Sequence, residues 1–227
     1  MKTIDFENEY KPMSVDDIVF ESDAAKQLVI DLLSGERPFP MREGKCGILL
    51  YGVPGTGKSA LAKLIPDAKE RARTGDAAVP RYVRVAPPNH GYGVVSSIQQ
   101  QAMVIPFASH HYFVLDEVDN LTKDAMASLK SAMNMPNCVF VLTTNHYAKV
   151  EQGVLDRCHC IAFNAAPAKR WLPLCRRILN DAGVGGIDDA TLIGVIDTCH
   201  GSARGILDAM VSIVLQVRRA PQAVSVV

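Results

Sequence analysis

The sequence predicts an α/β fold built on a parallel sheet, and three observations carry that expectation. Short apolar runs alternate with segments of helical periodicity, the pattern of strands joined by crossover helices. One apolar run leads into a glycine-rich segment, residues 52–59, which opens a helix. Another ends in the carboxylates of Asp116-Glu117-Val118-Asp119, as a buried strand does when it delivers charge to the carboxyl edge of a sheet.

In chain order, the strands are expected at Cys46–Tyr51, Tyr82–Ala86, Tyr112–Asp116, Cys138–Thr143 and Cys160–Phe163, giving a five-stranded sheet. Ala24–Leu33 has apolar residues at helical spacing and stops before Gly35. Lys58–Ile65 is expected to end at Pro66, which lacks a backbone donor. Lys69–Pro80 is polar and rich in small residues and predicts a mobile loop. Val94–Met103 and Lys123–Met133 complete the flanking helices. After Pro167 the strands cease, and three helices follow at Lys169–Ala182, Asp188–Cys199 and Ser202–Arg218. Asp188 and Asp189 suit a helix start, where the dipole favours carboxylates. This divides the chain into an α/β domain, 1–165, and a small all-helical lid, 166–227, whose end, Ala220–Val227, is expected to fray.

Composition narrows the function classes. With 227 residues, 48% of them hydrophobic, the chain can bury a sizeable core. Lys+Arg and Asp+Glu both number 24, so any nucleic-acid contact must come from a local patch. The best local candidates are Arg71, Arg73, Arg81 and Arg84. No apolar run is long enough to span a bilayer, and Met1–Tyr10 is polar and acidic rather than a signal peptide, so a cytoplasmic protein with no membrane partner is expected. The six cysteines sit mostly in apolar runs and read as buried thiols. Cys158-His159-Cys160 is no zinc site on this reading, because alternate strand residues face opposite ways.

Gly52-Val53-Pro54-Gly55-Thr56-Gly57-Lys58-Ser59 fits the phosphate-binding P-loop in its required context, strand before and helix after. Its glycines let backbone amides turn toward phosphate oxygens, and the helix N-terminus favours anions. Lys58 is expected to reach the β- and γ-phosphates, and Ser59 to ligate Mg2+. Asp116 is the second metal residue, and Glu117 the general base that polarises an attacking water. Asp119 is read as a cap for the next helix. Asn145, ending the strand Phe140-Val141-Leu142-Thr143-Thr144, is placed to bond the γ-phosphate or that water, with Thr143 and Thr144 as substitutes.

These residues resemble the AAA+ ATPases, and within them the clamp-loader clade of replication factor C small subunits and their phage counterparts. Asn8-Glu9-Tyr10-Lys11-Pro12 with Val15-Asp16-Asp17-Ile18-Val19 is similar to that clade's N-terminal box, which implies adenine contacts from Ile18 and Val19. Leu155-Asp156-Arg157-Cys158 resembles its arginine-finger motif, and Gly201-Ser202-Ala203-Arg204 its second sensor. The resemblance spans about Ile4 to Met210 and implies that Arg157 acts on a neighbouring subunit's nucleotide and Arg204 on its own.

Departures from the clade shape the expectations. Lys11 stands for an arginine, and Asp156 replaces a serine, so its carboxylate is expected to pull Arg157 aside in the free subunit. The helix Val94–Met103 carries no Lys or Arg where clamp loaders grip DNA, and the clade's C-terminal collar has no counterpart. Gly91-Tyr92-Gly93 lies where ring-forming translocases carry an aromatic pore loop, so Tyr92 is a candidate substrate contact. The expectation is an ATP- and Mg2+-dependent ATPase in a homo-oligomeric ring or arc. Its target is DNA or a DNA-bound protein, as for a clamp or helicase loader. The alternatives are a pore-loop protein remodeller and an ATP-gated scaffold.

Overall fold

The computed structural model describes residues 9–41 and 43–219. Ile4 and Asn8 at the start of the resemblance, and the expected frayed end Ala220–Val227, lie outside them. Five strands are present among the described residues: β1 (Gly47–Tyr51), β2 (Pro80–Arg84), β3 (His111–Asp116), β4 (Cys138–Thr144) and β5 (Cys158–Ala162). They form one parallel sheet in the order β2-β3-β4-β1-β5. Because β1 lies between β4 and β5, the chain leaves β1 for the far edge, and the crevice this reversal opens is where ligands bind in such sheets.

The sheet is apolar on both faces, which is why its central strands read as unbroken hydrophobic runs. Leu49, Phe113, Phe140 and Leu142 pack on one face against helices α3 (Tyr92–Ala102) and α4 (Lys123–Ala132). Ile48, Leu50, Tyr112, Val139 and Val141 pack on the other against α1 (Asp23–Ser34) and α2 (Lys58–Thr74). Each fully buried Leu, Ile or Phe contributes about 1.5–3 kcal/mol. β2 is the exposed edge, alternating exposed and half-buried residues. On β5, Cys158 and Cys160 pack into the first cluster, whereas His159 meets Phe39 of the second edge-to-face.

Two expectations are corrected in α2. Pro66 does not end it, and Lys69–Thr74 is helix rather than loop. An interior proline costs about 3 kcal/mol. Buried polar side chains beyond it hold the helix in place. Lys69 Nζ donates to the carbonyls of Leu32 (2.9 Å) and Leu33 (3.3 Å), capping the end of α1. Glu70 accepts from the Ser109 backbone N–H (2.9 Å), the Ser109 hydroxyl (2.6 Å) and the Tyr112 hydroxyl (2.7 Å). Smaller differences concern β2, which runs Pro80–Arg84, β5, which runs Cys158–Ala162, and α3, which starts at Tyr92.

Past the short helix α5 (Gln152–Leu155) and β5, three helices follow: α6 (Ala168–Asp181), α7 (Asp189–Thr198) and α8 (Ala203–Arg219). They share their own core, built on Trp171, Cys175, Ile178, Ile196, Ile206 and Met210. Asp188 caps α7 by accepting the Thr191 N–H at 2.9 Å. Tyr10 joins this core from the N-terminal segment, its hydroxyl donating to Asp181 at 3.1 Å.

Candidate nucleotide site

The carboxyl ends of β1, β3 and β4 lie side by side, so the segment after β1, the carboxylates after β3 and Asn145 after β4 share one edge. The turn out of β1 needs glycine at Gly52, where φ is +145° and a Cβ would lie 2.7 Å from the Phe163 carbonyl. Thr56 ties the loop to the same carbonyl by a 3.0 Å hydrogen bond. Lys58 is buried, its ammonium folded onto the loop's own carbonyls at Gly52 (2.9 Å) and Val53 (2.6 Å). Burial lowers its pKa, and the carboxylates of Asp116 and Asp119 act the other way.

Asp116 is the hub. Its Oδ1 accepts from Ser59 (2.7 Å) and Thr143 (2.5 Å), and its Oδ2 from the Tyr82 hydroxyl (2.7 Å). Burial pushes its pKa up, but the three hydroxyl donors outweigh burial and hold it below the usual carboxylate range. The Ser59 hydroxyl and the Asp116 carboxylate are hard oxygen donors at one point, a set that fits a Mg2+ otherwise held by water and phosphate.

Glu117 adopts a left-handed conformation (φ 61°, ψ 48°), and its N–H donates to Thr143 Oγ1 at 3.0 Å. Its carboxylate is loosely held by Arg84 and Asn120, both at 3.4 Å. Asp119 accepts from Thr144 at 2.7 Å, and Thr122 rather than Asp119 caps α4. Thr143 and Thr144 are thus engaged by carboxylates; Thr143 and Asn145 both line the cavity.

A cavity of about 260 Å3 joins these groups. Its lining combines residues 54–59, Asp116, Glu117, Asn145 and Arg204 with Tyr10, Pro12, Asp17, Ile18, Val19, Trp171, Leu174 and Leu207. The last helices close over the loop, where the Ala203 N–H donates to the Gly55 carbonyl at 2.9 Å.

Two predicted residues lie elsewhere. Arg157 donates to the Asn134 side chain (2.8 Å) and the Gly153 carbonyl (2.7 Å). The expected diversion by Asp156 is not formed, because that carboxylate accepts from Gln152 at 2.7 Å. Tyr92 is the first residue of α3, not a loop residue, and is 58% exposed. The basic group is dispersed: Arg71 pairs with Asp67, Arg81 with Ser97 and Gln101, and Arg84 with Glu117.

The family model of ATPases associated with various cellular activities (AAA) matches residues 48–164, more than half of the chain. The chain belongs to this family. The AAA match runs from β1 past β5 and takes in residues 52–59, Asp116, Glu117, Asn145 and Arg157, and nucleotide binding comes with membership. The AAA chain is 27% identical to replication factor C small subunit 2 of Pyrobaculum islandicum over 207 residues, covering 88% of this chain and 61% of that one. It is 29% identical over 178 residues to the replication factor C small subunit of Archaeoglobus fulgidus, covering 74% and 52% respectively. It therefore spans roughly half to three fifths of the relatives it matches. In fold it is similar to a RuvB mutant of Thermotoga maritima (TM-score 0.70, 18% identity, 92% of this chain and 68% of that one). It is also similar to a DNA polymerase III gamma subunit-related protein of the same organism (TM-score 0.55, 15% identity, 83% and 57%). No helix among the described residues is long and apolar enough to cross a membrane.

Proposed function

We propose that the chain is the ATP-hydrolysing module of a clamp-loader-like machine in DNA metabolism. The observation that carries the reading is the grip on Asp116 by Ser59 of α2 and Thr143 of β4, with Glu117 next in the chain. On this reading residues 1–165 bind the nucleotide and residues 166–227 close over it as a lid. Lys58 leaves the loop carbonyls for the β- and γ-phosphates, and Asn145 and Arg204 bond the γ-phosphate end. Ser59 and Asp116 hold Mg2+, which supplies charge neutralisation on the phosphates. Glu117 takes a proton from water as the water oxygen bonds to the γ-phosphorus. The bond to the bridging oxygen breaks, and ADP and phosphate leave. Arg157, remote from its own cavity, serves the cavity of a neighbouring copy in a ring or arc.

The DNA-metabolism setting is supported by relatives named replication factor C small subunit. A second reading, a protein remodeller, is favoured by one observation, the exposed ring of Tyr92. ATP turnover measured with and without DNA, and with and without an unfolded polypeptide, separates them. Stimulation by DNA supports the first, stimulation by polypeptide the second. Absence of Mg2+-dependent turnover under every condition overturns both.

A further inference from the structure

Three hydroxyls among the described residues donate to Asp116, and they are not equivalent. Ser59 bonds Oδ1 and is itself a metal residue on the reading above. Thr143 bonds the same oxygen and also accepts the Glu117 N–H, so it belongs to the strand end that carries the site. Tyr82 bonds the other oxygen, Oδ2, at 2.7 Å. Thr143 and Tyr82 are therefore the two bonds to this carboxylate that lie outside the metal's own oxygen set.

Tyr82 comes from the edge strand β2 and is 40% exposed, so burial does not account for a tyrosine there. It stands in register with Val114, two residues before Asp116 on the same face of β3, and its ring crosses diagonally to the carboxylate. The Lys63 ammonium of α2 lies 4.5 Å from the ring centroid and braces the ring in that position. A carboxylate has a broad choice of rotation about its last bond. Bonds to Oδ1 and Oδ2 from opposite neighbours, β4 and β2, remove that choice.

We propose that Tyr82 is a positioning residue for Mg2+, its hydroxyl fixing the Asp116 carboxylate in the orientation that receives the ion. The proposal rests on the Mg2+-nucleotide reading above. It adds to it a donor from a strand that carries none of the phosphate or metal residues. Hydrogen-bond partners of metal-holding carboxylates are typically worth about tenfold or more in metal affinity.

Tyr82→Phe removes the hydroxyl and keeps the ring beneath Lys63. Mn2+, standing in for Mg2+, would be titrated into protein carrying one equivalent of the imido analogue of ATP, with free Mn2+ read by electron paramagnetic resonance. The variant should bind Mn2+ about tenfold more weakly than the parent. Its affinity for the analogue in EDTA should equal the parent's. Its ATP turnover should fall at limiting Mg2+ and recover as Mg2+ is raised, a rescue that a structural defect does not show. Unchanged Mn2+ affinity overturns the proposal, as does equal loss of analogue affinity with and without metal. A variant that fails to fold, judged by circular dichroism, makes Tyr82 structural and overturns it too. A parent whose analogue binding gains nothing from Mn2+ overturns the Mg2+ site itself, a separate outcome.

Discussion

Ala203 at the start of α8 donates its backbone N–H to the carbonyl of Gly55 at 2.9 Å, so the last helix is bonded directly to the phosphate loop. Gly55 has φ +84°, and a Cβ there would lie 2.8 Å from Ser202 Oγ. Gly55→Ala should cost about 1–2 kcal/mol of left-handed strain and push α8 off the loop. The expected outcome is a melting point lower by a few degrees together with weaker ATP binding, read by thermal scans with and without nucleotide. A variant stabilised by ATP as strongly as the parent would show that this contact plays no part in binding.

Lys58→Ala removes the buried ammonium that now rests on Gly52 and Val53. Loss of a charge-assisted contact of about 1.5–3 kcal/mol should weaken ATP binding at least tenfold while the protein stays folded. Equilibrium binding of ATP with circular dichroism as the folding control checks this.

Glu117→Gln should keep ATP affinity and lose at least a hundredfold in turnover, since an amide cannot accept the water's proton. Phosphate release under saturating ATP is the measurement. Normal turnover would move the base elsewhere, with Asp119 next in line because Asp116 is assigned to the metal.

Arg157 should act in trans. Mixing Arg157→Ala with Lys58→Ala subunits should recover part of the ATPase activity lost by each, because some interfaces then combine an intact arginine with an intact loop. Activity in a protein that sedimentation shows to be strictly monomeric, unaffected by Arg157→Ala, refutes the assembly.

Glu70 provides a test of the frame. Burial pushes its pKa up, but the bonds from Ser109, Tyr112 and Thr74 outweigh burial and hold it at about 2, against an ordinary 4.5. A depressed folded pKa gives stability that is present above pH 4.5 and lost as the pH falls toward 2, on the order of 3 kcal/mol in all. Glu70→Gln should be destabilised at pH 7 and should lose less stability than the parent between pH 5 and 3. Urea titrations across that range decide it.

The sequence made the phosphate end of the cavity readable because residues 52–59 and 116–117 are contiguous and each follows its strand directly. Tyr82 was not readable. It pairs in register with Val114, so its hydroxyl reaches Asp116 diagonally across two strands, a relation that only strand order establishes. The continuation of α2 past Pro66 was hidden for a similar reason. Local chemistry argues for a stop, and the side chains that override it, Lys69 and Glu70, find their partners on α1 and at the start of β3.

The same helix that begins at Lys58 and Ser59 is bolted down at Lys69 and Glu70, about 18 Å along its axis. α2 is thus a strut, pinned at the rear to α1 and to the strand bearing Asp116. A pull on the triphosphate loads the rear of the sheet instead of bending the loop. The last helices, by contrast, meet the loop through the Ala203–Gly55 backbone bond. Nucleotide-driven displacement is therefore expected to concentrate in residues 166–219, swinging against a stationary sheet.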